Sequence, residues 1–187
     1  RRRGHQLSSV LRRPEAVIAG TYPEIRPHVA DGDLVAVRSR HGVFPNLTRL
    51  ITGSPCTHTA IALWLEGGLW IAEMRSGGNV LVPLSQRAHE DFDVFDCPVD
   101  RRNLRGRVLG LLRTKIDYDV GDLARIAAHR LLGVSLPEQD DDVLVCSAFA
   151  ALVYLTCGWQ PKGLPSIAAP GDVVDAFGVF PKITYRR

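Results

Sequence analysis

Thr57-His58-Thr59-Ala60-Ile61-Ala62-Leu63-Trp64-Leu65-Glu66-Gly67-Gly68-Leu69-Trp70-Ile71-Ala72-Glu73-Met74 reads as two apolar strands, Thr57 to Leu65 and Leu69 to Met74, folded back at Glu66-Gly67-Gly68. Glycines between β-prone runs are the hairpin signal. The pair carries a histidine near the start of its first strand and a carboxylate near the end of its second. Register decides whether they meet. A two-residue Gly67-Gly68 turn sets Glu73 opposite Ala62, four residues from His58 and about 13 Å away at ~3.3 Å per residue. A four-residue loop from Leu65 to Gly68 sets Glu73 opposite Ala60, diagonal to His58 and within reach. A shift by one residue puts the two on opposite faces. The sequence permits all three.

Outward from the hairpin, Asp31-Gly32-Asp33 is a turn signal and Leu34 to Arg38 reads as a strand. Pro45 to Thr52 suits a short helix ended by Gly53-Ser54-Pro55. Asn79 to Pro83 and Phe92 to Cys97 add strands, for a sheet of about five. After Pro98 the apolar period changes. Arg101 to Thr114, Asp119 to Leu132, Cys146 to Thr156 and Gly171 to Phe177 read as helices, and Phe180 to Tyr185 as a returning strand. A short helix is also expected around Ser9 to Ala19. Strands first and helices later imply an α+β domain with an antiparallel sheet packed on helices. The division expected is a basic N-terminal extension, residues 1–30, and one domain, residues 31–187.

Bulk numbers agree with one folded domain. The chain has 187 residues, 45% of them hydrophobic and 23% charged, with a net charge of +3. Twenty of the 23 basic residues are arginine, a bias that hints at a GC-rich bacterial or phage genome. Arg1, Arg2, Arg3, Arg12 and Arg13 crowd the start, and Arg186 and Arg187 close the chain. No aromatic residues interleave with them as single-strand binding wants, so they read as solvated tails or a docking patch rather than a nucleic-acid site. The four cysteines form no C-x-x-C pair, and Cys56 with His58 lacks a second ligand pair, so no metal or other cofactor is expected. The uncharged run Val143 to Pro161 is diluted by Ser147, Thr156 and Gln160 and closed by Gly158 and Pro161, which suits a buried helix better than a membrane span. The chain opens on Arg1 rather than methionine, so the lack of a signal peptide decides nothing about compartment.

Cys146 stands at the start of that buried helix, in Val145-Cys146-Ser147. Unsatisfied N–H groups and the positive end of the helix dipole favour thiolate there. Asp140 to Asp142 just before it oppose thiolate unless they face solvent. A thiol nucleophile needs a base, and the base needs a third group to orient it. His58, Glu73 and Cys146 are residues of those three kinds. Each also has an ordinary structural reading, the cysteine as a small core residue and the histidine as a satisfied strand residue.

Gly32-Asp33-Leu34-Val35, His58-Thr59-Ala60-Ile61, Ile71-Ala72-Glu73 with Val80 to Leu84, Val145-Cys146-Ser147 and Ala169-Pro170-Gly171-Asp172-Val173-Val174, in that order, resemble the permuted papain-like amidases. These form the YiiX/YebB and LRAT-type branch of the NlpC-like cysteine peptidase superfamily. The resemblance covers about residues 31 to 180 and rests on the order of short motifs. It implies a circularly permuted papain-like fold with Cys146 as nucleophile, His58 as general base and Glu73 as orienting acid. Tyr118 matches a tyrosine before the nucleophile helix that could bond the developing oxyanion; a packed loop tyrosine is the plain reading. The implied activity is a thiol hydrolase or acyltransferase working on an amide, as in cell-wall peptides, or on a lipid ester or thioester. Trp64, Trp70, Phe44 and Leu84 either line an apolar approach to the site or belong to the core. The rival expectation is a catalytically silent binding module of a larger assembly, docked through the arginine-rich ends.

Overall fold

A computed structural model describes residues 17–39, 43–75, 77–114, 146–165, 168–178 and 180–187. Tyr118, Asp140 to Asp142, the helix expected over Asp119 to Leu132 and the N-terminal arginines lie outside them.

Seven strands form one sheet: β1 (Ile18–Ala19), β2 (Leu34–Arg38), β3 (His58–Leu65), β4 (Gly68–Arg75), β5 (Gly78–Pro83), β6 (Asp91–Phe95) and β7 (Ile183–Tyr185), in the order β1-β7-β6-β2-β3-β4-β5. All neighbours are antiparallel except β1 and β7. The sheet therefore exceeds the expected five strands. β7 is the returning strand expected over Phe180 to Tyr185, three residues long, whereas β1, at two residues, is too short to show any period and its pairing is set by the sheet it joins. Ile18–Ala19 is strand, so the helix expected around Ser9 to Ala19 does not extend over its last residues, and the rest of that span lies outside the described residues. β1 pairs with β7, and Ile25 and Val29 are buried against the sheet.

Alternation along the strands builds two apolar faces. Leu34, Ala36, Ile61, Leu63, Ala72 and Met74 meet three helices, α3 (Arg101–Leu112), α4 (Cys146–Thr156) and α5 (Pro170–Phe177). Val35, Val37, Ala60, Ala62 and Ile71 face the other way, toward α1 (Tyr22–Ile25) and the 3-10 turn Leu84–Arg87. The remaining described helix, α2 (Val43–Thr52), links β2 to β3. α4 is almost wholly core. Phe149, Ala150, Val153 and Tyr154 are fully buried, each large side chain worth ~1.5–3 kcal/mol over an exposed one. No helix among the described residues is long and apolar enough to cross a membrane. The Tyr154 hydroxyl donates to the Gly32 carbonyl at 2.8 Å, tying α4 to the turn before β2, where Gly32 takes φ +80°.

The hairpin settles into one register. Leu65 pairs with Gly68 and Ile61 with Ala72, so the turn proper is Glu66-Gly67, with φ 49° and 77°. Two positive φ values in succession are the type I′ signature, which suits the twist of a two-residue hairpin. Continued by one step, this ladder sets Glu73 beside Ala60, diagonal to His58.

Candidate active site

His58 opens β3 and Glu73 sits in β4, and the diagonal register brings them into contact. His58 Nε2 and Glu73 Oε2 are 2.8 Å apart. The Glu73 carboxylate has no exposed surface. It is held by two further cations: Arg75 Nε at 2.5 Å from Oε1, and Arg87 Nη2 at 3.0 and 2.8 Å from the two oxygens. Burial alone would raise the Glu73 pKa. The bond and charge of His58, with the Arg87 guanidinium, outweigh it and hold the carboxyl at about 2.

The Cys146 thiol lies close enough to His58 for the charge and hydrogen-bonding capacity of the ring to lower its pKa, and the backbone at Thr59 and Ser147 acts in the same sense. Glu73 occupies Nε2, so the ring nitrogen left for the thiol is Nδ1. The Thr59 hydroxyl donates to the Cys146 carbonyl at 3.0 Å, and Ser147 Oγ donates to the Ala168 carbonyl at 2.6 Å. β3 and the segment before α5 thus fix the first turn of α4. Burial disfavours the thiolate, but the neighbouring His58 charge and hydrogen bond overcome it, so the Cys146 pKa falls below its ordinary value. Burial also disfavours the imidazolium, and the Cys146 and Glu73 charges overcome that, raising His58 to about 9. The two shifts have one cause, since each buried group favours the charged form of the other.

Arg87, Arg75, Thr59, Ser147 and Cys56 are absent from the expectation. For Arg75 a signal existed, since it stands two residues after Glu73 on the same strand face. Arg87 carried none. It comes from the 3-10 turn Leu84–Arg87, whose position under β4 is a tertiary fact. Its Nη1 donates to Glu90 at 2.8 Å, Ser39 Oγ donates to the same Glu90 carboxylate, and its buried Nε has no partner among the described residues. Cys56 is buried beside the site. Its thiol contacts the His58 carbonyl at 3.4 Å, and burial, with the nearby Cys146 charge, pushes its pKa up to about 12.

Two of the expected approach residues belong to the core. Leu84 is fully buried in the cluster on the α1 side of the sheet, and Trp64 packs against that cluster. Trp64 Nε1 donates to the Val29 carbonyl at 2.7 Å and Arg26 stacks over its ring at 4.5 Å. Both rest on the hairpin side of the sheet because that face needs covering. Trp70, half-buried, pairs with Leu63 and Pro83, and the Phe44 side chain lies outside the described set. The C-terminal arginines are folded back. Arg186 Nη2 donates to Asp93 at 2.8 Å, and the Arg187 N–H donates to Asp91 at 3.0 Å.

No family model matches the chain, and no curated protein matches it. Among solved structures, the metalloprotein YiiX from Escherichia coli O157:H7 is similar over 69% of this chain and 66% of its own, at 20% identity and a TM-score of 0.42. This chain thus spans less than two thirds of that protein's length. A likeness at this level says nothing of chemistry. The metal in that description is said of YiiX alone. Among the described residues here, no group of three or more His, Cys, Asp or Glu side chains is placed to hold a metal ion.

Proposed function

We propose that this protein is a cysteine hydrolase or acyltransferase of the permuted papain-like kind. Its catalytic unit comprises residues 31–187 together with the strand and turns of residues 17–30. The observation that supports the reading is the 2.8 Å contact of His58 with buried Glu73, beside a Cys146 thiol whose pKa His58 lowers. Cys146 would attack the carbonyl carbon of an amide, ester or thioester, forming a C–S bond as the carbonyl π pair moves to oxygen. The developing oxyanion is within the province of the Cys146 backbone N–H, with Tyr118 proposed as a second donor. Collapse of that intermediate expels the leaving group, which takes its proton from the His58 imidazolium. His58, now neutral, draws a proton from water or an acceptor alcohol or amine. That nucleophile then releases the acyl group and regenerates the thiolate. Glu73 would hold the ring in orientation and stabilise its charged form. The chemistry is proposed as metal-free.

A burst assay tests this directly. With p-nitrophenyl acetate, one equivalent of nitrophenol per chain is expected, with an acetyl group found on Cys146 by mass spectrometry. Chelator treatment should leave the burst intact. Absence of any burst, or a burst that survives Cys146→Ala, contradicts the reading.

A further inference from the structure

Beside the candidate site lies a cavity of about 390 Å³, within the size range of small-molecule pockets, ~300–1,000 Å³. Phe95 and Val174 give it apolar walls, and Arg38, Ser54, Asp93 and Asp175 give it polar ones. Cys56 also lines it. That thiol touches the His58 carbonyl at 3.4 Å, and it lies within electrostatic reach of Cys146 on one side and of Arg38 and Asp93 on the other. Cys56 therefore lines the cavity and lies near the proposed nucleophile.

The charges in the cavity are specific. Asp93 is buried, and its oxygens are already committed: Oδ1 accepts from Thr184 Oγ1 at 3.0 Å and from Arg186 Nη2 at 2.8 Å, and Oδ2 accepts from Arg38 Nη2. Arg38 and Arg186 share this carboxylate, and with Asp175 in the wall the charges balance, so an anion entering the cavity would be held by the Arg38 guanidinium itself. Arg186 spends its other donor on the Phe92 and Tyr185 carbonyls. Arg38 makes a single hydrogen bond among the described residues, to Asp93, and its side chain is 37% exposed. A guanidinium fixed along one edge by a buried carboxylate, with donors to spare, is preorganised to take a second carboxylate. Asp175, exposed on α5, faces the same space and opposes a dianion such as phosphate more than a monoanion.

We propose that this cavity is a recognition pocket for a carboxylate-bearing group on the molecule that Cys146 attacks, with Arg38 as the residue that binds the carboxylate. The proposal rests on the reading of Cys146 as the nucleophile. It favours a short acid-bearing substrate over a long acyl chain, for which a half-polar pocket of this volume is unsuited.

Two maleimides of equal size test it: 4-maleimidobutyric acid and its primary amide, with labelling of Cys146 followed by mass spectrometry. The acid is expected to label Cys146 on the order of fivefold faster than the amide, the scale of one exposed charge pair. Arg38→Gln should bring the ratio to about one while the amide's own rate holds. Asp175→Asn, at an exposed position where folding is not at stake, should raise the ratio. A wild-type ratio of one or less overturns the proposal, as does a ratio that neither substitution moves. The amide alone reports on the thiolate. If it reacts fast and shows no preference against the acid, the pocket falls and the nucleophile stands. If Cys146 is inert to both probes, the two fall together.

Discussion

At the scale of single residues, the account turns on a buried carboxylate that is over-supplied with cations. Glu73 touches His58, Arg75 and Arg87. Removing its charge takes the counter-ion from Arg75 and leaves Arg87 with Glu90 alone, and breaking a buried pair in this way costs ~3–5 kcal/mol. Glu73→Gln is therefore expected to lower stability by about that amount in urea unfolding, and to slow Cys146 alkylation because the imidazolium loses its partner. The pH dependence of stability follows from the same site. The Glu73 carboxyl is held at about 2, against an ordinary 4.5. Its stabilising contribution is complete above pH 4.5 and is lost as pH falls through about 2. Thermal scans across that window should show the loss in wild type and a flatter profile in Glu73→Gln. Arg87 touches Glu73 and Glu90, which makes it a positioning residue in the proposed site. Arg87→Met should depress alkylation at neutral pH and shift its pH profile, with Arg87→Lys restoring part of both; a profile unmoved in Arg87→Met would leave Arg87 a purely structural residue.

At the scale of elements, the hairpin does the positioning. Of the three registers open in the sequence, the chain takes the one that joins His58 to Glu73, through a turn at Glu66-Gly67 rather than Gly67-Gly68. Glutamate is a poor residue for φ 49°. Glu66→Asn should stabilise the protein by roughly 0.5 kcal/mol, because Asn-Gly is the preferred type I′ pair. Gly67→Val should destabilise it by about 1–2 kcal/mol. Equilibrium unfolding of the two variants checks both signs. The strands of five or more residues and the helices α3, α4 and α5 were legible because each is long enough for its apolar period to show. The His58 and Glu73 pairing was legible only as a possibility, since a turn shift of one residue leaves the same hydrophobic pattern with a different partner. Arg87 and Cys56 were invisible, since they join the site through packing that no local period encodes. Trp64 and Leu84 were ambiguous for the opposite reason, because a large apolar side chain looks the same in a core and in a cleft.

At the scale of the whole molecule, the sheet closes through its shortest strands. β1 and β7 pair at Ile18 with Ile183 and at Ala19 with Thr184, so sequence-distant segments meet at one edge, and Ile25 and Val29 bury against the same face. A chain beginning at residue 17 keeps β1, Ile25 and Val29 and serves as the reference. One beginning at residue 31 loses a strand and two core side chains, and its midpoint should fall sharply or its transition disappear. The folded-back Arg186, bound to the carboxylate of Asp93, also places a terminal arginine in the service of the fold and of the cavity wall. An assembly docked through the C-terminal arginines would have to compete with those contacts.

The central claim is an activated thiolate, and the most direct measurement is the rate of Cys146 alkylation by iodoacetamide as a function of pH, mapped by mass spectrometry over all four cysteines in wild type and His58→Ala. Cys146 is expected to react fast well below an ordinary thiol pKa of about 8.5, while buried Cys56, pushed up to about 12, stays inert. Without His58 the desolvated thiol loses the charge that lowers its pKa, so His58→Ala should slow neutral-pH alkylation of Cys146 by about tenfold or more. A Cys146 that titrates like a free thiol, or that reacts equally with and without His58, would contradict the account.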